Sequence, residues 1–241
     1  MKKNAWKADD MIVYDDENYT IINKPSLLST LEDRNDGDNV LSLFRAINSE
    51  YQVCHRLDKE TSGALLLSKN EEAYKSAAMQ FQERTVEKVY HALVKGRFMN
   101  EVIQVDVPLR TSGSGRVICD KRNGKEAVTI FRAKEFFKDY TLIEAKLLTG
   151  RTHQIRVHLS YLNFPICGDR LYGGEPIFLS SMKKGFKRKE EFEERPLFDR
   201  VALHSYSIKL TNVNKNIISK SCDYPKDMEV IMKKLNKFNK Y

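Results

Sequence analysis

An α+β fold is expected of this chain, with a large, mostly antiparallel mixed β-sheet flanked by helices and loops. Three observations predict it. Strand-like runs outnumber helical ones, hairpin-length turns separate them rather than the dozen or more residues a crossover needs, and apolar residues recur at helical spacing in only a few segments. At 241 residues the chain is long enough for one large domain or two small ones. No internal repeat and no long Gly/Ser linker interrupts it, so residues 1–241 are expected to form a single domain.

Each element has a local reason. Ile12–Tyr14 and Tyr19–Asn23 read as short strands around the acidic turn Asp15 to Asn18, and Pro25 closes the second. The polar stretch Glu32 to Asn39 reads as a loop. Val40 to Ile47 reads as a helix with Val40, Leu43, Phe44 and Ile47 on one face. Gly63 to Ser68 is apolar enough for a buried strand. Asn70 is placed to cap a helix from Glu71 to about Glu83, with Ala73, Ala77, Ala78 and Phe81 inward. Strand character then dominates Lys88–Val94, Val102–Val107, Arg116–Asp120, Glu126–Ala133 and Thr141–Leu147, with Asn123-Gly124 as a two-residue hairpin signal. After Gly150 the spacing becomes helical: Thr152 is the expected cap, Ile155, Leu159 and Leu162 share a face, and Asn163 and Pro165 end the run. A glycine-rich turn, GDRLYGGEP, follows, then a strand at Ala202–Leu210. The final helix opens at Pro225 with Met228, Ile231, Met232 and Leu235 on one side.

Composition narrows the function. Hydrophobic residues make up 41% and charged residues 31%, as in ordinary globular proteins. No apolar run approaches the roughly 18–20 residues of a membrane helix, and MKKNAWKADD has no apolar run after its lysines, so neither a membrane span nor a secretory signal is expected. Cys54, Cys119, Cys167 and Cys222 lie far apart without a CxxC pair, which favours reduced thiols in the cytoplasm over a zinc site. The net charge is +8. Its excess gathers in MKKGFKRK (Met182–Lys189) and in Lys209–Tyr241, where eight lysines face only Asp223, Asp227 and Glu229. Such runs suit a phosphate-rich partner, although lysine-rich solvated faces are common.

Several chemistries find no support. Gly124-Lys125 is followed by Glu126 and lacks the upstream glycine of a P-loop. Gly113-Ser114-Gly115 opens no dinucleotide-binding helix. His153 and His158 lie at the wrong spacing for a metal-binding helix face, with no carboxylate between them. A site without metal or cofactor is the simpler expectation.

The most informative residues are HRLDKETSG, His55 to Gly63. They place Asp58 between a cation and a hydroxyl-rich turn, ahead of the apolar run Ala64–Leu67. Such a carboxylate can serve as nucleophile or base; in the same setting an aspartate can simply close an Asx turn. A distant run, GRTHQIRVH from Gly150 to His158, offers the counter-charge.

HRLDKETSG resembles the catalytic motif of the RluA-type pseudouridine synthases. EKVYHALVKG (Glu87–Gly96) resembles that family's second motif, and TGRTHQIRVHLSYLNFPICGDRLYGG (Thr149–Gly174) its third. RVALHSYSIKL (Arg200–Leu210) resembles the closing strand, and YDDENYTIINKPSLLS the opening. One departure is local: Ser26 leads to Leu27 where the family usually has glycine, so a stiffer loop is expected there, with the chemistry unaffected. The small N-terminal RNA-binding domain that many relatives carry is expected to be absent.

The resemblance implies a pseudouridine-synthase-like fold with a central RNA-binding cleft. It implies isomerisation of uridine to pseudouridine in structured tRNA or rRNA without a cofactor, by a cytoplasmic monomer that needs no obligatory protein partner. It makes Asp58 the catalytic carboxylate and Arg156 the partner that holds it ionised and oriented. Tyr90 would stack on or position the target base, and Arg56 would fill the place of the flipped base. His55 and His204 would be scaffold, and Thr61 and Ser62 would fix the Asp58 loop. Whether Asp58 attacks the uracil ring or takes a proton from the sugar stays open. Two other readings compete: a non-catalytic RNA-binding or assembly protein on the same fold, and a glycosidase, which would need a second carboxylate where only Glu60 is near.

Overall fold

The structure, a computed structural model, describes residues 6–32, 37–99, 102–183, 186 and 193–240. Its strands are β1 (Ile12–Asp15), β2 (Tyr19–Lys24), β3 (Gln52–Val53), β4 (Ser62–Ser68), β5 (Glu87–Lys95), β6 (Val102–Asp106), β7 (Leu109–Thr111), β8 (Val117–Cys119), β9 (Val128–Phe136), β10 (Tyr140–Leu147), β11 (Leu203–Thr211) and β12 (Ile217–Ser221). The helices are α1 (Val40–Arg45), α2 (Glu71–Gln82), α3 (Gln154–Tyr161) and α4 (Lys226–Phe238). The chain divides into two compact units: residues 1–88 with 204–225, and residues 89–203 with 226–241.

In the first unit β4 is central, and all seven of its residues are buried. It pairs antiparallel with β2 and β3 and parallel with β11, through His204 opposite Ser62 and Ser205 opposite Gly63. β1 and β12 extend the unit through antiparallel pairs with β2 and β11. The sheet is therefore mixed but mostly antiparallel. Its core joins Tyr19, Ile21, Leu66, Ile208 and Leu210 to Ala73 and Ala77 of α2. Asn70 caps α2 as expected, its side chain accepting from the Ala73 amide at 2.8 Å. Ala78, expected inward, is exposed, and Phe81 packs at the edge of the core. α1 is shorter than its apolar spacing suggests. An Asn39–Ser42 capping box starts it and it ends at Arg45, leaving Ile47 59% exposed.

The second unit is an antiparallel sheet in the order β5-β10-β9-β6. β7 and β8 form a separate two-stranded ribbon. The Asn123-Gly124 turn thus does not join a hairpin between β8 and β9. Asp120 closes it instead, accepting the amides of Arg122 and Asn123 on its carboxylate at 3.0 and 2.9 Å. Gly124 is needed for close approach, since a Cβ there would lie 2.3 Å from the Asp120 carbonyl oxygen. α4 buries the four apolar residues expected of it, Met228, Ile231, Met232 and Leu235. Of the basic run Met182–Lys189, only Met182, Lys183 and Phe186 are among the described residues; of the loop Glu32–Asn39, residues 33–36 also lie outside them.

The parallel contact in the first unit sets a hard steric limit. Gly63 has φ +109°, and an added Cβ would sit 2.1 Å from the Ser205 carbonyl oxygen. No side chain fits there without separating β4 from β11. Replacing Gly63 with alanine is expected to lower unfolding stability by about 3 kcal/mol, read from urea titrations of the two proteins.

Candidate active site and its supporting residues

The Asp58 loop runs from β3 to β4 and is tied down on both sides. Thr30 bonds twice to Leu57, its hydroxyl donating to the carbonyl at 2.9 Å and accepting from the amide at 3.2 Å. The Thr61 amide donates to the Asp58 carbonyl at 3.0 Å, closing the turn. Asp58 is partly buried, whereas Arg56 is exposed.

Beneath the loop lies a residue the sequence reading passed over. Lys24, the last residue of β2, is fully buried. Its ammonium donates to the carbonyls of Pro25 at 2.9 Å, Leu28 at 2.7 Å and Lys59 at 3.2 Å. One cation therefore fastens the 25–28 turn to the Asp58 loop. Leu27, the departure noted above, has φ 68°, and its amide donates to Lys59 O at 2.8 Å. A leucine here adopts the left-handed backbone that glycine adopts without cost, which explains why glycine is usual at this position.

The histidines of this unit are scaffold. His55 Nε2 accepts from the Leu66 amide at 3.1 Å, so the ring is neutral in that arrangement, and it packs 5.0 Å from the Phe81 ring. Burial, with a smaller contribution from the Lys88 charge, pushes the His55 pKa down to about 3. His204 Nε2 faces the Cys222 carbonyl at 3.1 Å and must donate to it, which makes Nδ1 the acceptor of the Ser62 hydroxyl at 2.9 Å.

In the second unit Tyr90 sits on β5 opposite Ala145, with 6% exposure. Arg156 lies on α3, whose residues Gln154 to Leu159 are all buried. Thr152 does not cap this helix. His153 stands at the N-cap with φ 54° and makes no side-chain cap bond, while the Gln154 side chain ties the preceding turn, its Oε1 accepting from the Arg151 amide and the Thr149 hydroxyl at 2.9 Å each. Gln154 Nε2 donates to Thr129 Oγ1 at 2.9 Å, and that hydroxyl lies 2.9 Å from His158 Nδ1. His158 Nε2 in turn donates to the Val107 carbonyl at 2.9 Å. Arg156 itself is held by Asp169, with Nε donating to Oδ2 at 2.7 Å and Nη2 to Oδ1 at 2.8 Å. Both side chains are buried, at 7% and 1% exposure. The Tyr172 ring centroid lies 5.1 Å from the Arg156 guanidinium carbon. Asp58 and Arg56 thus belong to one unit, Tyr90 and Arg156 to the other.

Burial disfavours the thiolate form of the cysteines. All four cysteines are free, and burial pushes Cys54, Cys167 and Cys222 up to about 12. Among the described residues, no group of three or more His, Cys, Asp or Glu side chains is gathered as a metal site requires.

A family model described as RNA pseudouridylate synthase matches residues 18–161. A ribosomal large subunit pseudouridine synthase C from Vibrio vulnificus is 35% identical over 185 residues, covering 76% of this chain and 59% of the relative. A ribosomal large subunit pseudouridine synthase D from Borreliella burgdorferi is 32% identical over 236 residues, covering 92% of this chain and 67% of the relative. Among solved structures, human RNA Pseudouridylate Synthase Domain Containing 4 superposes with a TM-score of 0.75 at 25% identity, over 95% of this chain and 94% of that one. Sequence relatives and fold neighbours are thus proteins of one class, named for making pseudouridine in RNA. The chain belongs to the RNA pseudouridylate synthase family. It spans 59% of the length of the first of these relatives.

The state of His55 makes stability depend on pH. Its folded pKa lies below the unfolded value, so the unfolded chain binds the extra proton as pH falls below about 6.5, and stability drops with it. Between pH 7 and 4.5 the loss from this ring is expected to be about 2 kcal/mol. His158, also lowered chiefly by burial, adds to the same slope. Denaturant unfolding at both pH values is expected to show a shallower dependence for His55→Gln than for wild type; equal slopes would place the protonation elsewhere.

Proposed function

We propose that this chain isomerises specific uridines of tRNA or ribosomal RNA to pseudouridine, residues 1–241 acting as one catalytic domain with Asp58 as the essential carboxylate. The bond between uracil N1 and the ribose anomeric carbon breaks, the base turns, and the ribose carbon rejoins through C5. N1 ends with a proton and C5 without one, so the atoms balance within the nucleoside and no oxidant, reductant or water is consumed. Attack on the ring and removal of a sugar proton both require an ionised Asp58. Arg156 pairs with it and fixes its direction. Tyr90 forms the face on which the flipped base rests, and Arg56 takes its place in the RNA stack, where extrusion costs a few kcal/mol.

The observation that carries this reading is the family match over residues 18–161, which contains Asp58, Tyr90 and Arg156 and draws on both units. The anchored Asp58 loop supports it, because a catalytic carboxylate must be held still. A passive RNA-binding protein would have no need of a buried lysine and a doubly bonded threonine to hold one aspartate loop. Among the described residues no helix is long and apolar enough to cross a membrane. Action as a monomer on RNA in the cytoplasm, without cofactor or obligatory protein partner, is part of the same proposal.

Asp58→Asn is expected to abolish pseudouridine formation, measured by tritium release from labelled RNA taken from cells lacking this protein, while RNA affinity stays within a few-fold. Turnover by this variant would remove Asp58 from its role. The lysines of α4 supply a second expectation, as contacts to RNA phosphates. Lys233 and Lys237 are exposed and Lys234 half-buried, with Lys237 also packed on the Phe238 ring at 5.3 Å. Changing Lys233, Lys234 and Lys237 together to glutamine is expected to weaken binding and to reduce the slope of log affinity against log salt by up to about 2. An unchanged slope would mean that this face is only solvated.

A further inference from the structure

The start of β5 carries a cation for which the chemistry above has no use. Lys88 is half-buried, and its ammonium lies 5.1 Å from the centroid of the Phe81 ring on α2. Phe81 also packs on His55, with ring centroids 5.0 Å apart. One phenyl ring therefore touches both the lysine and a residue of the Asp58 loop, all within the first unit. His55 brings no charge to this cluster, since burial, joined by the charge of Lys88, keeps its ring neutral. Glu87 leaves the opposite side of the strand and is taken by Lys209 at 2.8 Å. Among the described residues, no carboxylate pairs with Lys88 and no carbonyl accepts from it.

The setting is the reverse of that at Lys24, where three carbonyls replace the lost water. At Lys88 burial alone acts on the ammonium and pushes its pKa down. The aromatic face returns only part of the missing hydration. A lysine that merely covered Phe81 would lay its stem on the ring and carry its charged head out to water; here the head itself sits over the ring. We infer that Lys88 is a substrate-binding residue whose ammonium receives a phosphodiester oxygen of the RNA backbone beside the Asp58 loop. The inference rests on the proposed reading of RNA as the substrate, which offers one such anion per nucleotide. The phosphate supplies the acceptor and the counter-charge that the fold leaves out, and a poorly hydrated ammonium gains more from it than a solvated one. Strand and ring also fix the cation before RNA arrives, so less side-chain freedom is lost on binding than at a mobile surface lysine.

The test uses the full chain and unfractionated RNA from cells lacking this protein, with Lys88→Met to keep the length and remove the charge. Its Kd for the RNA is expected to rise about 5-fold. The slope of log affinity against log salt is expected to fall by about 0.7–0.9, the loss of one phosphate contact. KM is expected to rise with Kd while kcat stays within about 2-fold. Lys88→Arg, which keeps the cation, is expected to hold Kd within about 2-fold of wild type and to preserve the slope. Without RNA, Lys88→Met is expected to melt no lower than wild type, because an apolar chain replaces a poorly hydrated cation. A lysine that serves only the packing of Phe81 would give a lower melting temperature with an unchanged salt slope, and that result overturns the inference. So does a loss of affinity in Lys88→Met that leaves the slope intact. Should Lys88→Met not fold, Lys88→Gln is compared in the same way. A wild type that neither binds nor modifies this RNA overturns the proposed function and the anion site together. A wild type that forms pseudouridine, beside a Lys88→Met of unaltered Kd and slope, overturns the anion site alone.

Discussion

A cation taken out of water must be matched bond for bond, and in each unit the elements around the candidate site are arranged to do so. In the first unit the cation is Lys24, whose ammonium has three donors and meets three carbonyls. Those carbonyls come from two segments far apart in sequence, so satisfying the lysine and shaping the loop are the same act. Take away the ammonium and three acceptors lose a partner, of which the buried Leu28 carbonyl alone would cost roughly 1–3 kcal/mol. In the second unit the cation is Arg156, whose match is a carboxylate delivered by a turn that only glycine can close. A desolvated pair of this kind adds little net stability against an apolar alternative, yet breaking one half of it is expensive. What it supplies is a fixed orientation.

The contrast with Arg200 makes the point sharper. Arg200 also grips a carboxylate through Nε and Nη2, at 2.6 and 2.9 Å from the oxygens of Asp227. Its carboxylate is 42% exposed, however, against 1% for Asp169. The Arg200 pair fastens the start of α4, and water can relax its geometry at modest cost. The Arg156 pair sits where water cannot substitute, which makes its geometry less forgiving and its direction more durable.

Local signals were legible where a residue acts on its own neighbours. Asn70 capping α2 and the four-residue apolar face of α4 could be read from spacing alone. Thr152 could not, because α3 begins after His153 without a side-chain cap, and the Gln154 side chain ties the preceding turn at Thr149 and Arg151 instead. Ile47 matched the helical period, but α1 stopped before reaching it. Asn123-Gly124 is a sound turn signal, but which strands a turn joins is decided by pairing partners elsewhere. Asp58, Arg56, Tyr90 and Arg156 stood out through motifs. Lys24 and Asp169 did not, since a lysine ending an apolar strand and an aspartate in a glycine-rich turn both look solvent-bound until tertiary structure buries them. The available clue was the immediate context: Lys24 precedes Pro25 directly after buried β2 residues, and Asp169 lies in a turn crowded with glycines.

The same logic of desolvation explains why the histidine nearest Asp58 in sequence stays uncharged. His55 is three residues from Asp58, and in an open cleft it would titrate near neutrality. Its ring instead accepts a backbone amide from β4 and is stripped of water against Phe81, which keeps it neutral far below physiological pH. A protonated imidazolium there would have to give up the Leu66 bond, disturbing the strand that follows the Asp58 loop. Holding this ring uncharged therefore protects the register of β4 and leaves the carboxylate loop with an electrostatic environment that does not change across the physiological range. On the proposed reading, the cation that matters to Asp58 is then a guanidinium, which has no accessible neutral form. Its charge is constant, and the grip of Asp169 holds its direction as well.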